Sequence, residues 1–141
     1  MIKARFDAEV DELTKVIDLV NHTLEKAGWK DELLPVIDVA VEEIFVNIAS
    51  YAYLSLPEAE KYAEITIDTD EEGTVTIVFE DAGIEYNPLL KKDPDITLSA
   101  GERQIGGLGI YMVKKSMDHV SYARVDGKNV FTIVKKKKSG L

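Results

Sequence analysis

Residues 40–53, AVEEIFVNIASYAY, set two carboxylates and an asparagine inside an otherwise apolar run. At about 100° per residue, Glu43, Asn47 and Ser50 fall within about 60° of one another on a helix, whereas Asp38 and Glu42 lie on a stripe about 100° or more away. An ordinary surface helix has one wet face. The second polar stripe, hemmed in by Val36, Val39 and Val46, is therefore either wet in a cleft or buried and paired. The plain alternative is a wide solvent face that takes in Glu43.

Working outward, this helix begins between Asp31 and Pro35, because proline is tolerated only in a first turn, and runs to about Tyr53. Before it, Leu13, Val16, Ile17, Val20 and Leu24 recur at three and four, which predicts an amphipathic helix from about Asp11 to Ala27 with Gly28 as its stop. Trp29 packs at the junction of the two helices. Residues 2–6 alternate and predict a short strand ending at Asp7. After the central helix, Tyr62 to Thr69 and Thr74 to Glu80 form a hairpin joined at residues 70–73. A third helix opens at Gly106, Gly107 and Gly109 with Ile110, Val113 and Met117 on one face. A final hairpin, Val120 to Val125 and Asn129 to Val134, turns at Asp126-Gly127. Residues 84–105 have no period and contain Pro88 and Pro94, so they form a functional loop or lid. Lys135 to Leu141 form a solvated tail. Elements in this order predict helices on one face of a mixed or antiparallel sheet, an α+β two-layer sandwich in one domain over residues 1–141.

Composition bounds the function. Twenty-six acidic against seventeen basic residues give a formal charge of −9, which disfavours direct nucleic-acid binding and favours a basic protein partner. The chain has no cysteine and no apolar run near the ~20 residues of a membrane span, and its N-terminus lacks a signal-peptide core. A cytoplasmic protein is expected. His22 and His119 stand in no metal-ligand spacing and receive no role.

Three short motifs carry chemistry. Glu43-x-x-x-Asn47 is the first. In the second, FEDAGIEYNP at residues 79–88, Asp81 follows a strand and can accept from an amino group, while Gly83 lets a flat ligand approach the backbone; the pair is also plain turn chemistry. The third, IGGLGIYMVKK at residues 105–115, is a glycine-rich helix opening where free N–H groups and the helix dipole favour an anion. It is neither a Walker loop nor a dinucleotide fingerprint, and a flexible loop or a tight helix–sheet contact is its plain structural reading.

Taken in order, VEEIFVNIASYAY, DAGIEYNP, GGLGIYMVKKSMDHVSY and the closing NVFTIVKK resemble the asparagine box and two glycine boxes of the histidine-kinase-like ATPase superfamily. Within it the chain is similar to the short anti-sigma serine kinases of the RsbW and SpoIIAB type. The resemblance implies the Bergerat version of the two-layer sandwich, a mostly antiparallel sheet with three main helices on one face and a lid at about 84–105. It implies ATP and Mg2+ as ligands, Glu43 as general base, Asn47 as magnesium ligand and Asp81 on the adenine amino group with Gly83 beside the ring. Gly106, Gly107, Leu108 and Gly109 would wrap the phosphates, and Arg103, with Lys91 and Lys92 nearby, would add positive charge. The chain departs from the family pattern at Glu85, where a second glycine is usual, and at Tyr51, where a histidine is common.

The function so implied is that of an ATP-dependent serine/threonine protein kinase acting as an anti-sigma factor. Its partners would be an anti-anti-sigma protein of the STAS type and a sigma factor, and it would form a homodimer. Two alternatives stand beside it. One is a non-catalytic nucleotide-sensing module that sequesters a partner; the other, ranked low, is a catalytic half working on a separate phospho-accepting histidine protein.

Overall fold

The computed structural model describes residues 1–90 and 108–137. Five strands, β1 (Ile2–Asp7), β2 (Tyr62–Thr69), β3 (Val75–Asp81), β4 (His119–Val125) and β5 (Lys128–Lys135), form one sheet in the order β1-β2-β3-β5-β4. Every pairing is antiparallel, so of the mixed and antiparallel alternatives the second is the one found. Among the described residues three α-helices, α1 (Leu13–Lys26), α2 (Leu34–Asn47) and α3 (Leu108–Ser116), supply the other layer. The result is the expected α+β sandwich.

The register explains the core. Ile2, Ile67, Ile77, Ile133 and Val120 form one row across all five strands, and Ala4, Ile65, Phe79, Phe131 and Tyr122 form the next. Side chains alternate faces along a strand, so both rows lie on the same side of the sheet. That side meets Val16, Val20 and Leu24 of α1, Ile37, Val41 and Phe45 of α2, and Val113 of α3 in one apolar cluster. The opposite face carries half-exposed Glu64, Thr66, Glu80 and Thr132.

Local signals act where they are expected. Gly28, at φ +88°, ends α1 in a left-handed turn, with Trp29 N–H donating to the Leu24 carbonyl at 2.9 Å in a Schellman closure. Trp29 is buried against that junction. Pro35 sits in the first turn of α2, preceded by a single 3-10 turn over Asp31–Leu33. Asp126 and Gly127, both at positive φ, turn the last hairpin.

Three expectations change. The central helix does not stay α-helical to Tyr53: it leaves α geometry at Ile48 and continues as a π turn over Ile48–Ala52. Val36 and Val39 are exposed and do not hem the polar stripe; it is confined instead by α3 and the sheet. Lys135 belongs to β5, not to a solvated tail, and its Nζ donates to the Ser116 carbonyl at 2.8 Å. Lys137 follows with its stem over Gly73 and its Nζ beside Gly28. No helix among the described residues is long and apolar enough to cross a membrane.

Candidate functional site

The apolar rows give way to polar residues at one end of the sheet. Continuing Ile77 and Phe79 by two places reaches Asp81, and continuing Ile133 and Phe131 reaches Asn129; the two pair directly across β3 and β5. Arg124 of β4 pairs with Asn129 in the same row. These polar side chains face the helix layer, where α2 and its π turn stand off from the sheet. The gap is a cavity of about 490 Å³, within the range of small-molecule sites.

Asp81 and Asn129 form the polar part of the sheet wall, only 4% and 6% exposed. Asp81 Oδ1 accepts from the Gly83 N–H and from Asn129 Nδ2, both at 2.9 Å. Burial pushes the Asp81 carboxyl above the ordinary aspartate range, and the Asn129 and Gly83 donors and the Arg124 charge oppose that rise. Tyr122 and Phe131 complete this wall as flat apolar surface.

Glu43 and Asn47 line the helix wall one turn apart, with Asn47 Nδ2 donating to Glu43 Oε1 at 3.1 Å. Of the second polar stripe in the opening stretch, Glu43 and Asn47 face this cleft, whereas Ser50 is not among its lining residues. With the amide nitrogen turned toward Glu43, the Asn47 carbonyl oxygen is the acceptor atom that this side chain can offer a cation. Among the described residues no group of three or more His, Cys, Asp or Glu could hold a metal alone. A divalent ion here would need oxygens from a bound ligand beside Asn47, and that donor set suits magnesium, which takes one or two protein ligands and completes its shell with phosphates and water.

The π turn positions the rest. It carries Tyr51 and Ala52 onto the cavity, and the Ala52 carbonyl accepts the Ile84 N–H at 3.0 Å. Gly83 is buried there, and a Cβ on it would overlap the Ala52 carbonyl, so its glycine is demanded by the helix end closing on the chain after β3. Tyr53, also buried, donates its hydroxyl to the Tyr62 carbonyl and accepts from the Ala82 N–H at 3.0 Å. Its hydroxyl is pushed above the ordinary tyrosine range, chiefly by burial. The first turn of α3 closes the far side, where Gly109 lies against the Glu43 carboxylate.

A sequence profile of the histidine kinase-like ATPase domain matches residues 6–135. The chain belongs to this family. This histidine kinase-like ATPase domain is also 26% identical over 120 residues to the serine/threonine-protein kinase BtrW of Bordetella bronchiseptica, a match covering 85% of this chain and 82% of that protein.

Of the residues singled out in the sequence, the domain brings Glu43, Asn47 and Asp81 onto one cavity, with Gly83 behind Asp81 and Gly109 behind Glu43. Leu108 is the first residue of α3, its side chain lying outside the described residues. Arg103, Gly106, Gly107, Lys91, Lys92 and most of the 84–105 segment also lie outside them. The part of that segment that is described, residues 84–90, brings Ile84, Tyr86 and Pro88 to the cavity rim. Tyr51 is 61% exposed and lines the cavity, Glu85 is exposed, and His22 and His119 are exposed surface residues away from this lining. Sequence reasoning missed Asn129, Arg124, Tyr122 and Tyr53. For Asn129 a signal existed: an asparagine at an inward position of an otherwise β-branched and aromatic strand.

Proposed function

We propose that this domain binds ATP with Mg2+ and acts as a serine/threonine protein kinase on an anti-anti-sigma protein of the STAS type, serving as an anti-sigma regulatory factor that also holds a sigma factor. The observation that carries the reading is one cavity with two unlike polar walls. The sheet wall offers a buried carboxylate acceptor beside flat apolar surface, as an amino-bearing ring requires. The helix wall offers a carboxylate and an amide oxygen one turn apart, as a reacting phosphoryl group requires. The likeness to a protein named a serine/threonine kinase supports the choice of acceptor.

In this reading Asp81 Oδ2 accepts from the exocyclic amino group of the base, and Tyr122, Ile84 and Phe131 exclude water from the ring. Asn47 holds the metal ion through its carbonyl oxygen. Bound magnesium would neutralise charge on the phosphates and so favour departure of ADP. Glu43 faces the same end of the cavity, placed to accept a proton from a serine or threonine hydroxyl. As that hydroxyl oxygen bonds to the γ-phosphorus, the bond from phosphorus to the β,γ-bridging oxygen breaks, ADP leaves, and the hydroxyl proton passes to the Glu43 carboxylate. The phosphate adds negative charge to the partner surface opposite an acidic protein, so the complex weakens and the domain is freed for its other partner.

The test is incubation of the purified protein with its cognate antagonist and Mg-ATP. Phosphoserine or phosphothreonine on the antagonist, lost in Glu43→Gln, is the expected result. ATP binding with no phosphate transfer, together with a fully active Glu43→Gln protein in the cell, would point to the nucleotide-sensing module.

A further inference from the structure

Asn129 makes more side-chain hydrogen bonds than any other residue lining the cavity, among the described residues. Its Oδ1 accepts from Arg124 Nη1 at 3.2 Å, from the Tyr86 N–H at 3.2 Å and from the Tyr122 hydroxyl. Its Nδ2 donates to Asp81 Oδ1 at 2.9 Å and to the Ile84 carbonyl at 2.7 Å. An amide has one acceptor oxygen and two N–H donors, so every group of this side chain is engaged.

The orientation is determined by chemistry. A backbone N–H and a guanidinium can only donate, so the oxygen must face Tyr86 and Arg124. The nitrogen must then face Asp81. Arg124 is itself held by the Gly83 carbonyl at 3.0 Å, which ties the guanidinium to the turn that follows Asp81. With Oδ1 of Asp81 accepting two N–H groups, the carboxylate cannot rotate without breaking both. Its second oxygen, Oδ2, makes no hydrogen bond among the described residues and belongs to a side chain that lines the cavity.

We infer that Asn129 is a positioning and specificity residue: it locks Asp81 with a single free acceptor toward the cavity, so that the site takes a ring bearing an exocyclic amino donor and rejects one bearing a carbonyl at that place. This rests on the reading of Asp81 as the ring anchor given above. The rejection has a simple cause, because a ring carbonyl would set oxygen against oxygen where the bound ring displaces water from a buried carboxylate. Burial pushes the Asp81 carboxyl up, and Asn129, the Gly83 N–H and the Arg124 charge oppose that push, while the Tyr53 hydroxyl is a further titratable group in its field. Without that amide, more of Asp81 is protonated at a given pH, and a protonated carboxyl donates to a ring carbonyl instead of accepting from an amino group. Loss of Asn129 thus changes which ring is preferred and moves the pH at which the preference is lost.

The experiment is calorimetric titration of ATP and of ITP, which differ at the 6-amino and 6-oxo groups, into the wild type, Asn129→Ala and Tyr122→Phe across pH 5 to 8, each variant shown folded by circular dichroism. The wild type is expected to prefer ATP by at least about tenfold. In Asn129→Ala the preference falls by most of that factor, chiefly through weaker ATP binding, and the acid limb of ATP binding moves to higher pH. Tyr122→Phe, which removes one donor to Oδ1 and leaves the amide in place, shows the same two changes to a smaller extent and provides the reading should Asn129→Ala fail to fold. Unchanged selectivity and acid limb in the folded variants, or equal weakening of ATP and ITP with no pH shift, would overturn the role of Asn129 while leaving the nucleotide site standing. A folded wild type that binds neither nucleotide would overturn both readings.

Discussion

The second residue of α3, Gly109, lies against the carboxylate of Glu43 on α2, so closely that a Cβ at position 109 would overlap Glu43 Cδ and both of its oxygens. The glycine that looks in the sequence like part of a phosphate-wrapping loop thus also makes room for the carboxylate assigned as base. In Gly109→Ala either the carboxylate swings away or the first turn of α3 shifts. A displacement of about 1 Å at a reacting group can lower the rate by ~10²-fold. The expected outcome is loss of phosphate transfer of that order with a smaller change in the apparent KM for ATP, checked by steady-state kinetics on the phosphorylated antagonist.

Glu43→Gln separates shape from basicity. The amide oxygen can still accept from Asn47 Nδ2, which now bonds to Glu43 Oε1 at 3.1 Å, so the helix wall keeps its form. What disappears is the group that takes the hydroxyl proton. Transfer should fall by about 10²- to 10⁴-fold while ATP affinity stays within a few-fold of wild type, measured by single-turnover assays beside calorimetry.

Asp81→Asn predicts opposite effects on function and stability. The buried carboxyl is raised above its ordinary value of 3.8 by burial. The folded state therefore favours the protonated form, and the stability this supplies is fully present below the unfolded pKa and is lost as pH rises through the folded one. At neutral pH the wild type carries a buried charge that the substitution removes, while the oxygen of the introduced amide can still accept from Gly83 and Asn129. The variant should lose ATP binding and yet melt at a higher temperature at pH 7, the difference shrinking toward pH 4. Thermal denaturation at several pH values checks it; a variant that melts lower at pH 7 would contradict the account.

Much of this arrangement is legible in the sequence because its period is strict. Alternation in VTIVFED places Ile77, Phe79 and Asp81 on one side, and the same alternation in KNVFTIVK places Asn129, Phe131 and Ile133 on one side. What the chain does not announce locally is that β3 and β5 are neighbours in register, bringing Asp81 opposite Asn129 over 48 residues of separation. Asn129 escapes a reading of the sequence for that reason. The π turn over Ile48–Ala52 has no local signature either, since its residues suit an α-helix and the wider turn accompanies the Ala52 carbonyl meeting Ile84. Glu43 and Asn47 stand out because both lie on one helix, where spacing alone determines the face.

Gly83→Ala tests the backbone side of that closure. The obstructing atom is the carbonyl oxygen of Ala52, which also accepts the Ile84 N–H at 3.0 Å and cannot move without breaking that bond. Overpacking of this kind costs about 1–3 kcal/mol. The variant should unfold at lower denaturant concentration with an unchanged m-value, and its ATP affinity should fall because Asp81 loses the fixed Gly83 N–H that orients it.

Tyr53→Phe probes the anchor that joins the helix end to two strands without touching a ligand. The hydroxyl bridges the Tyr62 carbonyl at the start of β2 and the Ala82 N–H just after β3, and the ring is buried in the core cluster. Phenylalanine preserves the packing and strands a buried acceptor and a half-buried donor. Leaving buried backbone groups unpaired costs about 1–3 kcal/mol, the upper part applying where no water can enter. The cavity reaches Asp81 and Ile84 on either side of Ala82, however, and water entering there can satisfy its N–H, whereas Tyr62 is buried and outside the cavity lining. The loss should therefore be that of one stranded acceptor, the buried Tyr62 carbonyl, about 1–3 kcal/mol, with ATP affinity reduced less than in Gly83→Ala because the Asp81–Gly83 and Asp81–Asn129 bonds remain. Denaturant unfolding and calorimetry on the two variants rank them; a Tyr53→Phe protein that loses binding as completely as Asp81→Asn would mean that the hydroxyl, not the Asn129 network, sets the direction of the carboxylate.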